Sequence, residues 1–290
     1  MMQRILILGT GLIGASAGLA LRAAGLDGEI VGFDASTSEL EAALATGAID
    51  SFARSRGEAL EMAAAADVVV LAVPVLAILD WMQMLAPVLG PHQLVTDVGS
   101  TKLQIAESAR TLFNEDGAAR FLPGHPMAGK ESGGAALAEA ALFRDAMWLF
   151  TPVADETALE AEWRAWVAKF GCRTLDLDAA RHDELCAWVS HLPQMLSTAL
   201  AALLEDTFGD DPKSREEIAA IGGRALRETT RLGASPYSMW RDVAMTNTKP
   251  VAFTLFALEQ RLAHLRENLK TPELKEEFRL ANEFRKRQRP

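Results

Sequence analysis

The stretch "ILILGTGLIG" (residues 5–14) places Gly9, Gly11 and Gly14 directly after an apolar run and at the start of a helical one. In a Gly-x-Gly-x-x-Gly turn the first glycine permits a tight bend, the second lets backbone approach a pyrophosphate, and the third lets helix pack on strand. The free amides of the helix N-terminus then face the anion. Glycine-rich turns are common, so the pattern gains weight from a second feature: "IVGFD" ends in Asp34, twenty residues after Gly14. An acid there accepts hydrogen bonds from ribose hydroxyls and repels a 2′-phosphate, which favours NAD over NADP. Leu12 and Ile13 within the turn, and Val73 at the end of "VVVLAVP", complete the expected NAD contacts.

A second stretch, "FLPGHPMAGKESGG" (121–134), sets His125, one of only five histidines, between glycine and proline. Such neighbours read as loop rather than helix or strand, and a loop held by a scaffold serves chemistry more often than packing. Imidazole titrates near neutrality and suits proton removal from an alcohol being oxidised. The segment "TDVGSTK" (96–102) ends another apolar run. Its Ser100 reads equally as a site hydroxyl and as the N-cap of the next helix, while Lys102 reads as a surface charge.

Elements must hold these residues at one edge. At 290 residues, 49% hydrophobic and 23% charged, the chain is globular, with one large domain or two ordinary ones. Short apolar runs at 4–9, 29–34, 68–74, 93–99, 147–152 and 172–177 alternate with helix-like segments. Runs without polar alternation, separated by helices, predict a mainly parallel sheet covered on both faces, the doubly wound α/β pattern of a Rossmann-type domain. After about residue 178 the runs stop, and Leu185, Trp188, Val189, Leu192, Leu196, Ala199, Leu200 and Leu203 recur at helical spacing. The expected division is an NAD-binding domain over 1–177 and an all-helical domain over 178–290. Ser214–Glu217 has the pattern of a capping box, and Ser235-Pro236 and Thr271-Pro272 mark further helix starts.

Composition also excludes partners. A net charge of −10 argues against a general nucleic-acid binder, and an anionic ligand then needs a local concentration of positive charge. No uncharged apolar run reaches the roughly 18–20 residues of a membrane span. Arg4, the apolar run after it and Ala15-Ser16-Ala17 imitate a secretory signal, but the glycines at 9, 11, 14 and 18 give that segment its other meaning. Cys172 and Cys186 are too few for a disulfide framework and lack metal-ligand spacing, so a reducing cytoplasm is the expected setting and no metal is expected.

In this order, the Gly-rich start, "DVGSTK", "GHPMAGKESGG", "SHLPQ" and "SMWRD" resemble the prephenate and arogenate dehydrogenase family of tyrosine biosynthesis, over nearly the whole chain. The resemblance implies oxidation of a cyclohexadienol at C4 by NAD, with loss of the ring carboxylate as CO2 and aromatisation. It assigns His125 to the 4-hydroxyl proton, Ser100 to the same hydrogen-bond cluster, and His191 to the substrate site. It assigns Arg231 to a substrate carboxylate and Glu131 to a gate, with Glu228 as a candidate partner. Trp240 matches a tryptophan whose role is core, dimer contact or substrate contact. Tight pairing of Arg231 with the departing ring carboxylate would stabilise the ground state more than the transition state, so its expected partner is the side-chain carboxylate.

The resemblance leaves prephenate ahead of arogenate, because Ala135 and Ala136 stand where arogenate-preferring plant members tend to carry an acid. Lys130 adds a charge near the expected mouth of the site. With no regulatory or mutase segment expected at either end, tyrosine would inhibit only at the active site. A homodimer through the helical half is expected from the resemblance. The competing enzyme readings are β-hydroxy acid dehydrogenases and imine reductases, which commonly use a lysine of the helical domain. Here the first lysine past residue 178 is Lys213, in a charge-rich segment. A non-enzymatic NAD sensor has no need of His125, Ser100 and His191 together.

Overall fold

The computed structural model describes residues 2–113, 117–130 and 132–288. In chain order the first half forms β1 (Arg4–Leu8), α1 (Leu12–Ala23), β2 (Glu29–Phe33), α2 (Thr37–Ala45), β3 (Ser51–Phe52), α3 (Arg56–Ala64), β4 (Val68–Leu71), α4 (Val75–Leu85), β5 (Leu94–Asp97), α5 (Leu103–Leu112) and β6 (Arg120–Leu122). These six strands make one parallel sheet in the order β3-β2-β1-β4-β5-β6. Residues of β4 and β5 are buried throughout, as strands covered on both faces must be. Alternate residues of β1 divide between two cores: Ile5 and Ile7 pack with α1 and α2, Leu6 and Leu8 with α4 and α5. The chain winds outward from β1 in one direction and from β4 in the other, so the carboxyl ends of β1 and β4 border the crevice where such sheets bind ligands.

The last two apolar runs do not extend this sheet. β7 (Gly124–Pro126), β8 (Met147–Phe150) and β9 (Arg173–Asp176) form a separate three-stranded sheet, with β7 antiparallel and β9 parallel to β8. His125 is therefore a strand residue opposite Leu149, and the loop expectation is corrected. A three-residue strand has no periodicity to read, and its flanking glycine and proline mask it. Between β7 and β8 lie short 3-10 turns at Ala135–Leu137 and Ala140–Phe143, and α6 (Ala158–Lys169) links β8 to β9. The reciprocal capping box is at Thr157 and Glu160 of α6.

Among the described residues every regular element after Asp176 is helical: α7 (Ala179–Cys186), a π turn (Ala187–His191), α8 (Leu192–Phe208), α9 (Pro212–Ile221), α10 (Gly223–Thr230), a 3-10 turn (Arg231–Ala234), α11 (Tyr237–Thr246), α12 (Thr248–Glu267) and α13 (Glu273–Arg287). Ser214 lies inside α9 and forms no capping box; Asp211 is the cap, accepting from the Lys213 and Ser214 amides. None of the described helices is long and apolar enough to cross a membrane.

The helical half grips the sheet half through carboxylates. Neither α4 nor α5 has a side-chain cap of its own. Asp242 of α11 instead accepts from the Leu76 amide at 3.1 Å, and Asp183 of α7 accepts from the Lys102 and Leu103 amides at 2.7 and 2.9 Å. Orphan amides of two helix starts are thus satisfied across the junction, where a negative charge also suits the helix dipole.

Candidate active site

The glycine turn adopts the geometry its spacing predicts. Gly9 has φ of 96°, and a Cβ there would strike the Ala72 carbonyl and Val73. A Cβ on Gly14 would overlap the Gly9 carbonyl, whereas one on Gly11 would meet open space. The first turn of α1, which carries Leu12, Ile13 and Gly14, has no side-chain cap. Asp34 follows β2, accepting from the Thr10 amide at 2.8 Å and the Ser36 amide at 2.9 Å, so the acid and the turn are one unit. Open backbone at Gly11, uncapped amides and an adjacent carboxylate fit a dinucleotide.

Beyond β5, the structure overturns the reading of "TDVGSTK". Lys102 is fully buried and ion-pairs with Asp97, also fully buried. Asp97 further accepts from the Gly99 amide at 2.8 Å and the Gly124 amide at 3.1 Å. Burial pushes the Asp97 carboxyl up and the Lys102 ammonium down, while their contact and the two amides oppose this. Ser100 is half-buried and caps nothing, because α5 starts at Leu103 with Lys102 in the cap position. Through the Gly124 amide, Asp97 ties the end of β5 to the start of β7 and so fixes where His125 stands.

His125 Nδ1 lies 2.9 Å from Nε2 of His182 on α7, and His182 Nδ1 lies 2.8 Å from the Asp183 carboxylate. The Cys186 thiol is 3.6 Å from the same His182 nitrogen. Ligand atoms of His125, His182 and Cys186 fall within 4.8 Å of one another. Two nitrogens on one tetrahedral ion stand about 3.3 Å apart; the 2.9 Å separation here is that of a hydrogen bond. Burial pushes the Cys186 thiol up to about 12, which keeps it protonated.

His191 ends the π turn, a helix irregularity that frequently accompanies function. Its Nδ1 is 3.2 Å from the Asn247 amide nitrogen, a donor, which leaves the proton on Nε2. Among the described residues that buried Nε2 has no partner, nor has the buried Nε1 of Trp240, whose ring meets His191 edge-on at 5.9 Å. Two neighbouring buried donors without acceptors mark a place where a ligand acceptor fits.

Arg231 opens the exposed 3-10 turn after α10. This turn is held by α8: Gln194 donates to the Leu232 carbonyl at 2.7 Å, and Ser197 accepts from the Gly233 amide at 2.9 Å. Glu131 lies outside the described residues. Glu228 is exposed and pairs with Arg224 one turn away. Lys130 is engaged on its own segment, with Glu139 at 2.9 Å and the Leu137 carbonyl at 2.8 Å. Ala135 is fully buried, with its amide on Glu39 of α2, so its side chain bears on packing. Lys213 sits exposed on α9 with Glu217 at 3.7 Å.

The histidines are held neutral. Burial, followed by the charges of His182, Lys102 and His191, places His125 well below the usual imidazole value. Burial also lowers His182, against its hydrogen bond to Asp183, and takes His191 to about 4. His191 takes up fewer protons in the fold than in the unfolded chain between about 4 and 6.5, and His125 and His182 are shifted in the same direction, so stability is full above 6.5 and falls as pH drops below it. Each contributes up to about 1.4 kcal/mol per pH unit. Urea midpoints are expected to fall steadily from about pH 7 to about pH 5; equal midpoints would mean that these imidazoles are charged in the fold.

Sequence reasoning missed His182, Asp183, Asn247, Gln194 and the buried state of Lys102. "RHDELC" looks like an ordinary polar helix start, and only the packing of α7 against α5 shows which of its residues turn inward.

Comparison with known proteins matches residues 17–173 to the model of the prephenate dehydrogenase nucleotide-binding domain and residues 178–285 to that of the prephenate dehydrogenase dimerization domain. Prephenate dehydrogenase of Lactococcus lactis subsp. cremoris is 34% identical over 92% of this chain and 70% of that protein. The crystal structure of prephenate dehydrogenase from A. aeolicus with hydroxyphenyl propionate and NAD+ superposes with a TM-score of 0.87 at 26% identity, covering 99% of this chain and 98% of that one. Synechocystis arogenate dehydrogenase gives a TM-score of 0.75 at 29% identity, covering 98% and 99%. Matches to both halves, on a chain with a Rossmann-type sheet, a glycine turn and a buried histidine cluster, have one meaning: the chain belongs to the prephenate dehydrogenase family.

Proposed function

We propose that the chain catalyses NAD-dependent oxidative decarboxylation of prephenate to 4-hydroxyphenylpyruvate. The observation that carries this reading is His125, a neutral imidazole backed by His182 beyond the carboxyl end of β5, in a protein with a dinucleotide turn. Bound NAD supplies the hydride acceptor; Gly9, Gly11, Leu12, Ile13, Gly14, Asp34 and Val73 are the residues that would hold it. His125 takes the 4-hydroxyl proton as hydride leaves C4, with Ser100 as the second hydrogen-bond partner of that hydroxyl. The developing carbonyl is the electron sink for loss of CO2, and aromatisation makes the step practically irreversible. His191, through its unpartnered Nε2–H, and Arg231 receive the substrate side chain, and Glu131 gates the pocket.

Paired donors at His191 and Trp240 suit the keto acid side chain of prephenate better than an ammonium, which needs acceptors. Arogenate, converted to tyrosine, is the second reading, supported by the similarity to the Synechocystis enzyme. Tyrosine, which shares the product's ring, is proposed as an inhibitor at this same site, and the cytoplasm as its setting. We place the domain division at 177/178 and propose a homodimer through the helical half. The buried face of α8 is polar, with Gln194 and Ser197, while Leu203 on α8, Val189 of the π turn and Phe253 on α12 are 62%, 65% and 63% exposed. Apolar helix faces left this open call for a partner surface.

The test is NADH formation by purified protein offered prephenate and arogenate, each with NAD and NADP. Turnover of prephenate with NAD is expected to dominate. Silence on all four pairs from folded protein that binds NAD would sink the reading.

A further inference from the structure

A proton-accepting histidine is useful only if the correct nitrogen is bare, and a chain of three buried side chains decides this for His125. Asp183 stands at the N-terminus of α5, accepting from the Lys102 and Leu103 amides, and the same carboxylate lies 2.8 Å from His182 Nδ1. A carboxylate only accepts, so His182 carries its proton on Nδ1. His182 is fully buried, and burial keeps it neutral, so its Nε2 offers a lone pair. That lone pair is 2.9 Å from His125 Nδ1. Two N–H groups, or two lone pairs, cannot face each other at such a distance, so His125 carries its proton on Nδ1 and its Nε2 is bare. The protonated Cys186 thiol, pointing at the same lone pair from 3.6 Å, agrees with this direction. His125 Nε2 bonds to no described residue.

We propose that Asp183 and His182 are positioning residues, locking His125 in the tautomer whose Nε2 takes the substrate hydroxyl proton and stabilising the imidazolium that results. The inference rests on the role of His125 given above and deepens it. In the oxidation the O–H bond breaks and its proton moves to Nε2, while the C4–H electron pair leaves as hydride to NAD. The positive charge on His125 is met by Asp183 through two hydrogen bonds, and no proton moves along them. When the carboxylate leaves as CO2, its bonding pair flows through the ring to the oxygen, which recovers the proton from Nε2. The orientation of the chain is thus needed twice per turnover.

The test needs no activity at its first stage. In protein labelled with 15N at its five histidines, assigned by single substitutions, nitrogen shifts report each tautomer. His125 and His182 are both expected to be protonated on Nδ1 and bare on Nε2; an Nε2 proton on either overturns the inference. The second stage compares His182→Gln with His182→Leu. A glutamine amide can donate towards Asp183 and accept from His125 Nδ1, so it keeps the polarity of the imidazole; leucine fills similar space and keeps neither bond. The His182→Leu enzyme is expected to lose about 10²-fold or more in kcat, and the His182→Gln enzyme to return within about tenfold of wild type. NAD affinity should be unchanged in both, and prephenate KM should move far less than kcat. Equal kcat in the two variants overturns the inference. Correct tautomers without turnover of prephenate or arogenate, with NAD or NADP, would sink the dehydrogenase reading and leave the positioning chain standing.

Discussion

His125→Asn enzyme is expected to bind NAD and prephenate with near wild-type affinity and to turn over about 10²–10⁴-fold more slowly, the usual contribution of a positioned general base. Asparagine is the informative replacement because its amide lies near the position of Nδ1, where it can still meet His182, while nothing remains at the position of Nε2. The loss should therefore fall on kcat rather than KM, as for an interaction made only in the transition state. Wild-type pH dependence should agree. Burial and the neighbouring charges of His182, Lys102 and His191 depress His125 well below the usual imidazole value. The base is then already neutral at pH 7, and kcat/KM should stay level as pH falls to 6.5, declining only as His125 gains a proton at lower pH. Steady-state rates across that range, with NAD binding measured separately, check both statements. A variant within about threefold of wild type would remove His125 from the chemistry, since no general base contributes so little.

The cofactor half was legible because its requirements are local. Gly9, Gly14 and Asp34 are dictated by backbone geometry within one βαβ unit, and each occupies the place its spacing implies. The main strands were legible for the same reason: short apolar runs rich in Ile and Val, each separated from the next by a helical segment, read as buried strands of a parallel sheet. What could not be read is whatever depends on contact between distant segments. Lys102 looks like any lysine at a helix start until Asp97 and Asp183 are seen around it. His182 has no motif, because its partners come from β7 and from the residue beside it. His125 was singled out for its imidazole but assigned to a loop, since a three-residue strand leaves no pattern. The apolar spacing along α8 was read correctly as a helix, yet its direction was hidden: polar Gln194 and Ser197 face inward to hold the turn bearing Arg231, while Leu203 faces out. Periodicity shows that a helix has two faces and not which one meets the chain's own core.

Lys102→Met is expected to destabilise the protein by about 3–5 kcal/mol, the usual result of removing one partner of a buried ion pair. The penalty comes less from the lost attraction than from the Asp97 carboxylate left without a counter-charge where water does not reach. Methionine matches the lysine stem, so little of the loss should be packing. Asp97→Asn combined with Lys102→Met should be more stable than Lys102→Met alone, because no unpaired charge remains, although the Gly99 and Gly124 amides bind different carboxylate oxygens and asparagine keeps an acceptor for only one of them. Urea denaturation of the three proteins measures this. A single variant as stable as wild type would mean that the pair is neutral in the fold, with the proton on Asp97. The consequence reaches the active site by two routes. Asp97 anchors Gly124, so a displaced carboxylate moves the strand that carries His125. Lys102 is also one of the charges that depress His125, so the acid limb of kcat/KM should move to higher pH in Lys102→Met. A shift in that direction, measured in the fraction that remains folded, separates the electrostatic role of the buried lysine from its structural one.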